Sequence, residues 1–243
     1  MMEGWRKYRL ADICTKVTDG THDTPKTISD GIPLIKGKDI SSGYIDFINC
    51  DKISIEDHEK IIKRSRPEFG DILFSNIGSI GDCILIKTEK EFSIKNVALF
   101  KPNKNQVDFR FLYYTVVSQR FYKEIWNKVS GAAQPFASLK LLRNQKIKLP
   151  PLPTQRKIAS ILSTYDDLIE NNLKRIKLLE EKAQLTYEEW FVRMKFPGYE
   201  TTPISQESGL PEGWGKVKAS DLFDIQGGTQ PPKNQWSEIC EKG

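Results

Sequence analysis

At 243 residues, 38% hydrophobic and 28% charged, the chain has the profile of a soluble globular protein long enough for one ordinary domain, or one and a half. No apolar run approaches the ~18 residues of a membrane span, and Met1-Met2-Glu3-Gly4-Trp5 lacks the basic start and apolar stretch of a signal peptide, so no membrane association and a cytoplasmic location are expected. The net charge of +5 is unevenly spread: residues 101–153 carry 10 Lys/Arg against 2 Asp/Glu, whereas residues 1–100 carry 15 against 16.

From Trp5 to Leu149, short apolar runs alternate with Gly, Asn, Asp and Ser. Residues 32–35, 44–48, 71–74, 83–86 and 97–100 read as strands. Residues 108–128 read as a helix, because Leu112, Thr115, Val116, Tyr122 and Trp126 fall mostly at spacings of three and four. The expected class is therefore α+β, a mixed α/β domain over residues 1–153. Its end is marked by Leu149-Pro150-Pro151-Leu152-Pro153, where the prolines exclude helix and favour an extended exit.

The strongest local signal follows. Thr154 is placed to cap a helix that carries Ile158, Leu162, Tyr165, Ile169, Asn172, Ile176, Leu179, Ala183, Thr186 and Trp190 in an unbroken alternation of four and three. Such a seam is what supercoiled helices bury against a partner, and over residues 155–194 it reaches roughly 60 Å at 1.5 Å per residue. A domain of this size does not cover that length, so a paired, coiled-coil-forming helix is favoured over one lying on its own domain. Ile158, Leu162, Tyr165, Ile169, Asn172, Ile176 and Leu179 are the candidate interface, with Asn172 fixing the register. Arg156 and Lys157 oppose the helix dipole, so the first turn is expected to fray or pack elsewhere; Pro197-Gly198 ends the helix.

A repeat spans the two ends of the chain. Gly4-Trp5, Lys7, Asp12 and Ile13 recur as Gly213-Trp214, Lys216, Asp221 and Leu222, all at an offset of 209 residues. After a short deletion, Asp19-Gly20-Thr21 and Pro25-Lys26 are answered by Gly227-Gly228-Thr229 and Pro232-Lys233. A period this long marks a duplicated domain rather than a solenoid unit. The expected organisation is a complete domain (1–153), a long helix (154–196) and the opening of a second domain (197–243). Residues 201–243 hold too little apolar surface to enclose a core. Trp214 is expected to dock beside the helix, matching the packing of Trp5, and the segment beyond Asp224 to be mobile.

The basic stretch interleaves Lys101, Lys104, Arg110, Arg120, Lys123, Lys128, Lys140, Arg143, Lys146 and Lys148 with Phe109, Phe111, Tyr113, Tyr114, Phe121, Tyr122 and Trp126. Clustered basic charge is the footprint of a surface that neutralises phosphates; the alternative is a solvated helix face over an aromatic core. Catalytic patterns are missing. Asn76-Ile77-Gly78-Ser79-Ile80-Gly81 departs from a nucleophile elbow at Ile77, Glu180-Glu181-Lys182 lies inside the heptad helix, and no phosphate-cradling loop or base-extruding Pro-Pro-Tyr motif is found. Cys14, Cys50, Cys83 and Cys240 are too dispersed, and His22 and His58 too few, for a zinc site, so no metal or cofactor is expected.

The motifs Val17-Thr18-Asp19-Gly20-Thr21-His22-Asp23-Thr24-Pro25-Lys26, Gly31-Ile32-Pro33-Leu34-Ile35, Gly70-Asp71-Ile72-Leu73-Phe74-Ser75, Gly78-Ser79-Ile80-Gly81 and Leu149-Pro150-Pro151-Leu152-Pro153-Thr154-Gln155 resemble the specificity (S) subunits of type I restriction-modification systems. The resemblance implies a target recognition domain, a spacer helix and the first part of a second recognition domain. It further implies a non-catalytic reader of one half of a bipartite double-stranded DNA target, with methyltransferase subunits carrying S-adenosylmethionine docked on the helix and restriction subunits using ATP. Two copies paired antiparallel through the helix would supply two readers. Donor chemistry in short Gly-rich loops selects Thr21, His22, Lys26, Lys36, Lys38, Ser79 and Gln134 as DNA-contact candidates. The competing class is a coiled-coil assembly or adaptor protein without a nucleic-acid role.

Overall fold

The computed structural model describes residues 4–40, 43–129, 135–224 and 227–228, and among these nine strands form three small sheets. In chain order the strands are β1 (Arg6–Arg9), β2 (Cys14–Asp19), β3 (Ile32–Ile35), β4 (Asp51–Ile53), β5 (Ile72–Phe74), β6 (Cys83–Leu85), β7 (Ser93–Ile94), β8 (Ala98–Pro102) and β9 (Lys146–Leu149). The helices are α1 (Leu10–Ile13), α2 (Ile55–Ser65), α3 (Phe109–Val116), α4 (Gln119–Val129), α5 (Leu139–Arg143), α6 (Leu152–Tyr187) and α7 (Ala219–Leu222). Contacts divide the chain into two compact units, residues 1–170 and 171–243, the division falling inside α6.

The centre of the first unit is an antiparallel sheet in the order β2-β8-β5-β6. Successive residues of a strand face opposite sides, so a strand covered on both sides must be apolar throughout. β5, β6 and the Ala98–Phe100 part of β8 meet that requirement, while Lys101 stands half-buried near the end of β8. Ile72, Phe74, Cys83, Leu85, Ala98 and Phe100 point to one core, which Leu112, Val116, Phe121, Ile125 and Leu142 of the helices complete. Leu73, Ile84, Ile86, Val97 and Leu99 point to a second core shared with Ile35 and Ile94 of the β4-β3-β7 sheet. Phe74 ties the layers of the first core together, stacked on Phe100 at 5.7 Å and edge-on to Phe121 at 5.9 Å. β1 and β9 pair antiparallel, returning the chain to its N-terminus just before α6 begins.

Four elements differ from the sequence reading. Residues 44–48 are irregular rather than a strand: the Asp46 carboxylate accepts from the backbone N–H of Ile48 (2.9 Å) and Asn49 (3.0 Å), a local turn that replaces strand pairing. Residues 108–128 form two helices, because Ser118 Oγ donates to Thr115 O (2.6 Å) and accepts from Phe121 N (3.3 Å), ending α3 and starting α4. Helix α2 is an addition, capped by Ser54 Oγ on Asp57 N at 3.1 Å. Thr154 lies inside α6 and not at its cap: the helix begins at Leu152, and Pro153 occupies the first turn, where its missing N–H and fixed φ cost nothing.

The first turn of α6 does not fray. The Gln155 side chain, 1% exposed, accepts from Asp108 N (3.0 Å) and donates to Pro150 O (2.9 Å) and Gln106 O (3.3 Å). Ala159 is the other buried residue of the helix. At the far end the four-three alternation slips: residues 188–192 form a π turn, with Arg193 N donating to Glu188 O at 2.8 Å, and Met194 takes a left-handed φ of 57°. The helix therefore ends before Pro197-Gly198.

In the second unit Trp214 lies between Phe191 (5.5 Å) and Phe196 (5.1 Å), while in the first unit Trp5 packs against Phe111 at 6.3 Å. The repeat extends to the backbone. Gly4 and Gly213 both hold left-handed φ values (87° and 84°), and α7 stands at the position equivalent to α1. The segment beyond Asp224 lies outside the described residues apart from Gly227 and Gly228.

Candidate nucleic-acid interface

Strand direction decides where the loops meet. β8 runs antiparallel to both β2 and β5, with Ala98 opposite Asp19 on one side and Phe74 on the other, and β6 begins at Cys83 opposite Phe74. The ends of β2 and β5 and the starts of β6 and β8 therefore share one edge. β7, parallel to β3 in the neighbouring sheet, runs directly into β8 through Lys95-Asn96-Val97. The loops 20–31, 36–40, 75–82 and 95–97 thus gather on a single rim.

Backbone bonds lock that rim. Gly20 N donates to Val97 O (3.0 Å), Thr21 N to Ile94 O (3.0 Å), Asn96 N to Thr21 O (3.2 Å) and Lys95 N to Ile35 O (2.9 Å). Gly20 permits the approach, since a Cβ there would sit 2.1 Å from Ile94 O. Gly37 stands close enough to Ser75 that a Cβ would lie 3.1 Å from its hydroxyl, joining loop 36–40 to loop 75–82. Loop 75–82 is tied in turn to residues 136–137: Ala137 N donates to Asn76 O (2.9 Å), Asn76 Nδ2 to Ala137 O (3.2 Å), and Ile77 bridges Phe136.

The structure thus brings together Thr21, His22, Lys36, Lys38 and Ser79. His22 is exposed at its ring but engaged at both nitrogens, 2.9 Å from Asp19 Oδ2 and 2.9 Å from Asn96 Oδ1. Asp19 is buried and also accepts from Arg64 at the end of α2. Thr21 Oγ1 accepts from Asp23 N at 3.1 Å, so the Asp-Gly-Thr-His loop is bonded within itself. Lys36 pairs with Asp51, and Lys38, exposed, stands 3.9 Å from Asp39. The Lys36 ammonium, with Lys38 and Lys95 nearby, holds the Asp51 carboxyl below the usual carboxylate range; burial pushes Asp39 up, opposed by the Lys36 N–H it accepts. Ser79 is exposed at the tip of its loop. Lys26 is exposed and makes no ion pair among the described residues, midway between Thr24 and the Ile28 N–H that donates to Lys52 O (2.9 Å). Gln134 lies outside the described residues.

The basic stretch 101–153 is not one patch. Lys101 is paired with Asp71 and Glu68 at the other end of the central sheet, Arg120 with Glu124, Lys128 donates to Gln145 Oε1 (2.7 Å), and Arg143 donates to Val17 O (2.8 Å). Rim residues that sequence reasoning missed are Asp19, Arg64, Lys95 and Asn96. One signal was available: Asn96 sits at φ 54°, a conformation Asn tolerates better than most residues, within a Lys-Asn pair between two apolar runs. Cys14, Cys50 and Cys83 are buried and unpaired, and burial pushes the Cys14 thiol up to about 12.

Residues 2–181 match the family described as the type I restriction modification DNA specificity domain. The chain belongs to this family. Among curated relatives, the type I restriction enzyme MjaVIII specificity subunit of Methanocaldococcus jannaschii is 29% identical over 227 residues, covering 89% of this chain and 52% of that protein. The HindI specificity subunit of Haemophilus influenzae is 25% identical over 197 residues, covering 79% and 41%. The crystal structure of a type I restriction-modification S subunit from M. genitalium shares the fold, with a TM-score of 0.55 at 16% identity over 77% of this chain and 46% of that one. The chain spans about half the length of the curated relatives it matches. Among the described residues no helix is long and apolar enough to cross a membrane.

Proposed function

We propose that this specificity-family chain reads one half of a bipartite double-stranded DNA target with the rim of its first unit, without catalysing any step itself. The observation that carries this reading is the convergence of loops 20–31, 36–40, 75–82 and 95–97, with Lys26, Lys36, Lys38, Ser79 and Lys95, on one bonded edge. A rim of this kind presents donors to base edges and cations to phosphates from a backbone that does not have to order on binding. Methyltransferase subunits, carrying S-adenosylmethionine, dock on α6, and restriction subunits that use ATP join that assembly. The exposed stripe of α6 supports the docking role, since Leu162, Tyr165, Ile169, Ile176 and Leu179 are 39–63% exposed and Asn172 lies in their midst. Two copies joined antiparallel along that stripe place a reader at each end of a symmetric target.

Fluorescence anisotropy with duplexes drawn from a randomised library tests the reading. Enrichment of one sequence class, with affinity falling steeply as salt rises, is the expected result; equal, salt-insensitive retention of all sequences identifies an adaptor instead. Sedimentation decides the pairing: a monomer at micromolar concentration, with and without methyltransferase subunits, removes the homodimer.

A further inference from the structure

Lys95 is the most enclosed cation of the rim. It is 9% exposed, its backbone is held by Ile35 O and by the Thr21 bridge, and the left-handed Asn96 fixes the turn behind it. Its ammonium has three protons to donate. One goes to Thr24 Oγ1 at 2.6 Å, and no described carboxylate forms an ion pair with it. The neighbouring acids are committed elsewhere: Asp51 to Lys36, Asp19 to Arg64 and His22, and Asp39 to the Lys36 N–H. Asp51 lies near enough to feel the Lys95 charge, but no described carboxylate bonds the ammonium, and a cation withdrawn from water with donors left over is favoured where an anion completes it.

We infer that Lys95 is a phosphate-binding lysine: its ammonium, held by Thr24 at the junction of β7 and β8, is completed by a backbone phosphate of the duplex. The inference rests on the reading of the rim as a DNA surface and adds the contact that anchors it. Lys36 and Lys38 flank the position and add attraction for the same strand. Because the Lys95 backbone is bonded on both sides, the contact is pre-set, and its contribution belongs to affinity and register rather than to base choice.

Salt titration of the full chain on a 30-base-pair duplex of mixed sequence tests this with Lys95→Met and, as a control, Lys104→Met, which follows β8 at the opposite end of the central sheet. Each phosphate contact contributes about 0.9 to the slope of log K against log salt. Lys95→Met is expected to lower the slope by about that amount and to weaken binding about tenfold at 0.1 M salt, equally on unrelated sequences. Lys104→Met changes neither. Removal of a buried charge that no carboxylate bonds directly also raises the melting temperature of the free protein. An unchanged slope, a loss confined to one sequence, or a variant that melts lower or fails to fold overturns the inference, the last by showing that the ammonium is satisfied within the fold. Failure of the wild-type chain to bind duplex in a salt-dependent way overturns the functional reading itself.

Discussion

Replacing Gln155 with Ala strikes the joint between the first domain and α6. The side chain makes three bonds, and its loss strips the half-buried Asp108 N–H, the buried Pro150 carbonyl and the more exposed Gln106 carbonyl of their partner. Asp108 also caps α3 through its carboxylate, which accepts from Arg110 N (3.0 Å) and Phe111 N (3.1 Å), so the damage reaches a second helix. At about 1–3 kcal/mol for each buried group left unsatisfied, with water compensating in part, the cost is about 2–4 kcal/mol. For a chain of this size that corresponds to a fall in melting temperature of about 5–15 °C. Differential scanning calorimetry of Gln155→Ala beside Gln184→Ala, an exposed glutamine on the same helix, isolates the effect. A fall of less than 1 °C, or an equal fall in both variants, would refute the reasoning that this one side chain fastens the helix.

Gly20→Ala drives a methyl group into Ile94 O and C, backbone atoms that cannot rotate away, and is expected to cost about 3 kcal/mol; an unchanged urea midpoint contradicts it. Trp214→Ala releases residues 197–222 from Phe191 and Phe196, so tryptic cleavage at Lys195, Lys216 and Lys218 accelerates several-fold while the main melting transition is unmoved; equal digestion rates sink the idea. Asp39, whose carboxyl is pushed up by burial, is less favourable charged in the fold than in the unfolded chain. The wild type therefore loses stability as pH rises through that group, and Asp39→Asn does not. The melting temperature of Asp39→Asn relative to wild type should rise between about pH 3 and pH 6, the range in which an aspartate titrates; a difference that is flat or falls with pH contradicts the burial argument.

Strands buried on both faces were legible because their requirement is written in successive residues: β5, β6 and Ala98–Phe100 of β8 are apolar on both sides. Residues 44–48 carry the same apolar signal, but Asp46 satisfies the local backbone with its own carboxylate, a competition that spacing does not display. Ser118 divides α3 from α4 in the same way, by bonding Thr115 behind it and Phe121 ahead. Loop chemistry pointed to Thr21, His22, Lys36, Lys38 and Ser79, whereas their meeting on one rim depends on strand order, β2-β8-β5-β6, which in the β2-β8 case pairs Asp19 with Ala98 and Cys14 with Pro102, far apart in the chain. The engagement of both His22 nitrogens and the enclosure of Lys95 follow from that order, not from the loop sequences. The Gln155 motif was visible as a pattern; its purpose lay in carbonyls and an N–H from elsewhere in the fold.

Hydrogen exchange of the full chain, read by mass spectrometry with and without saturating duplex at low salt, addresses the central claim most directly. Slowed exchange confined to residues 20–27, 36–40, 76–81 and 95–97, with α2 and the Lys101 end of the central sheet unchanged, is the predicted result. Protection that falls on the Lys101 end or along α6 and spares those loops would contradict the assignment of the rim as the surface that meets DNA.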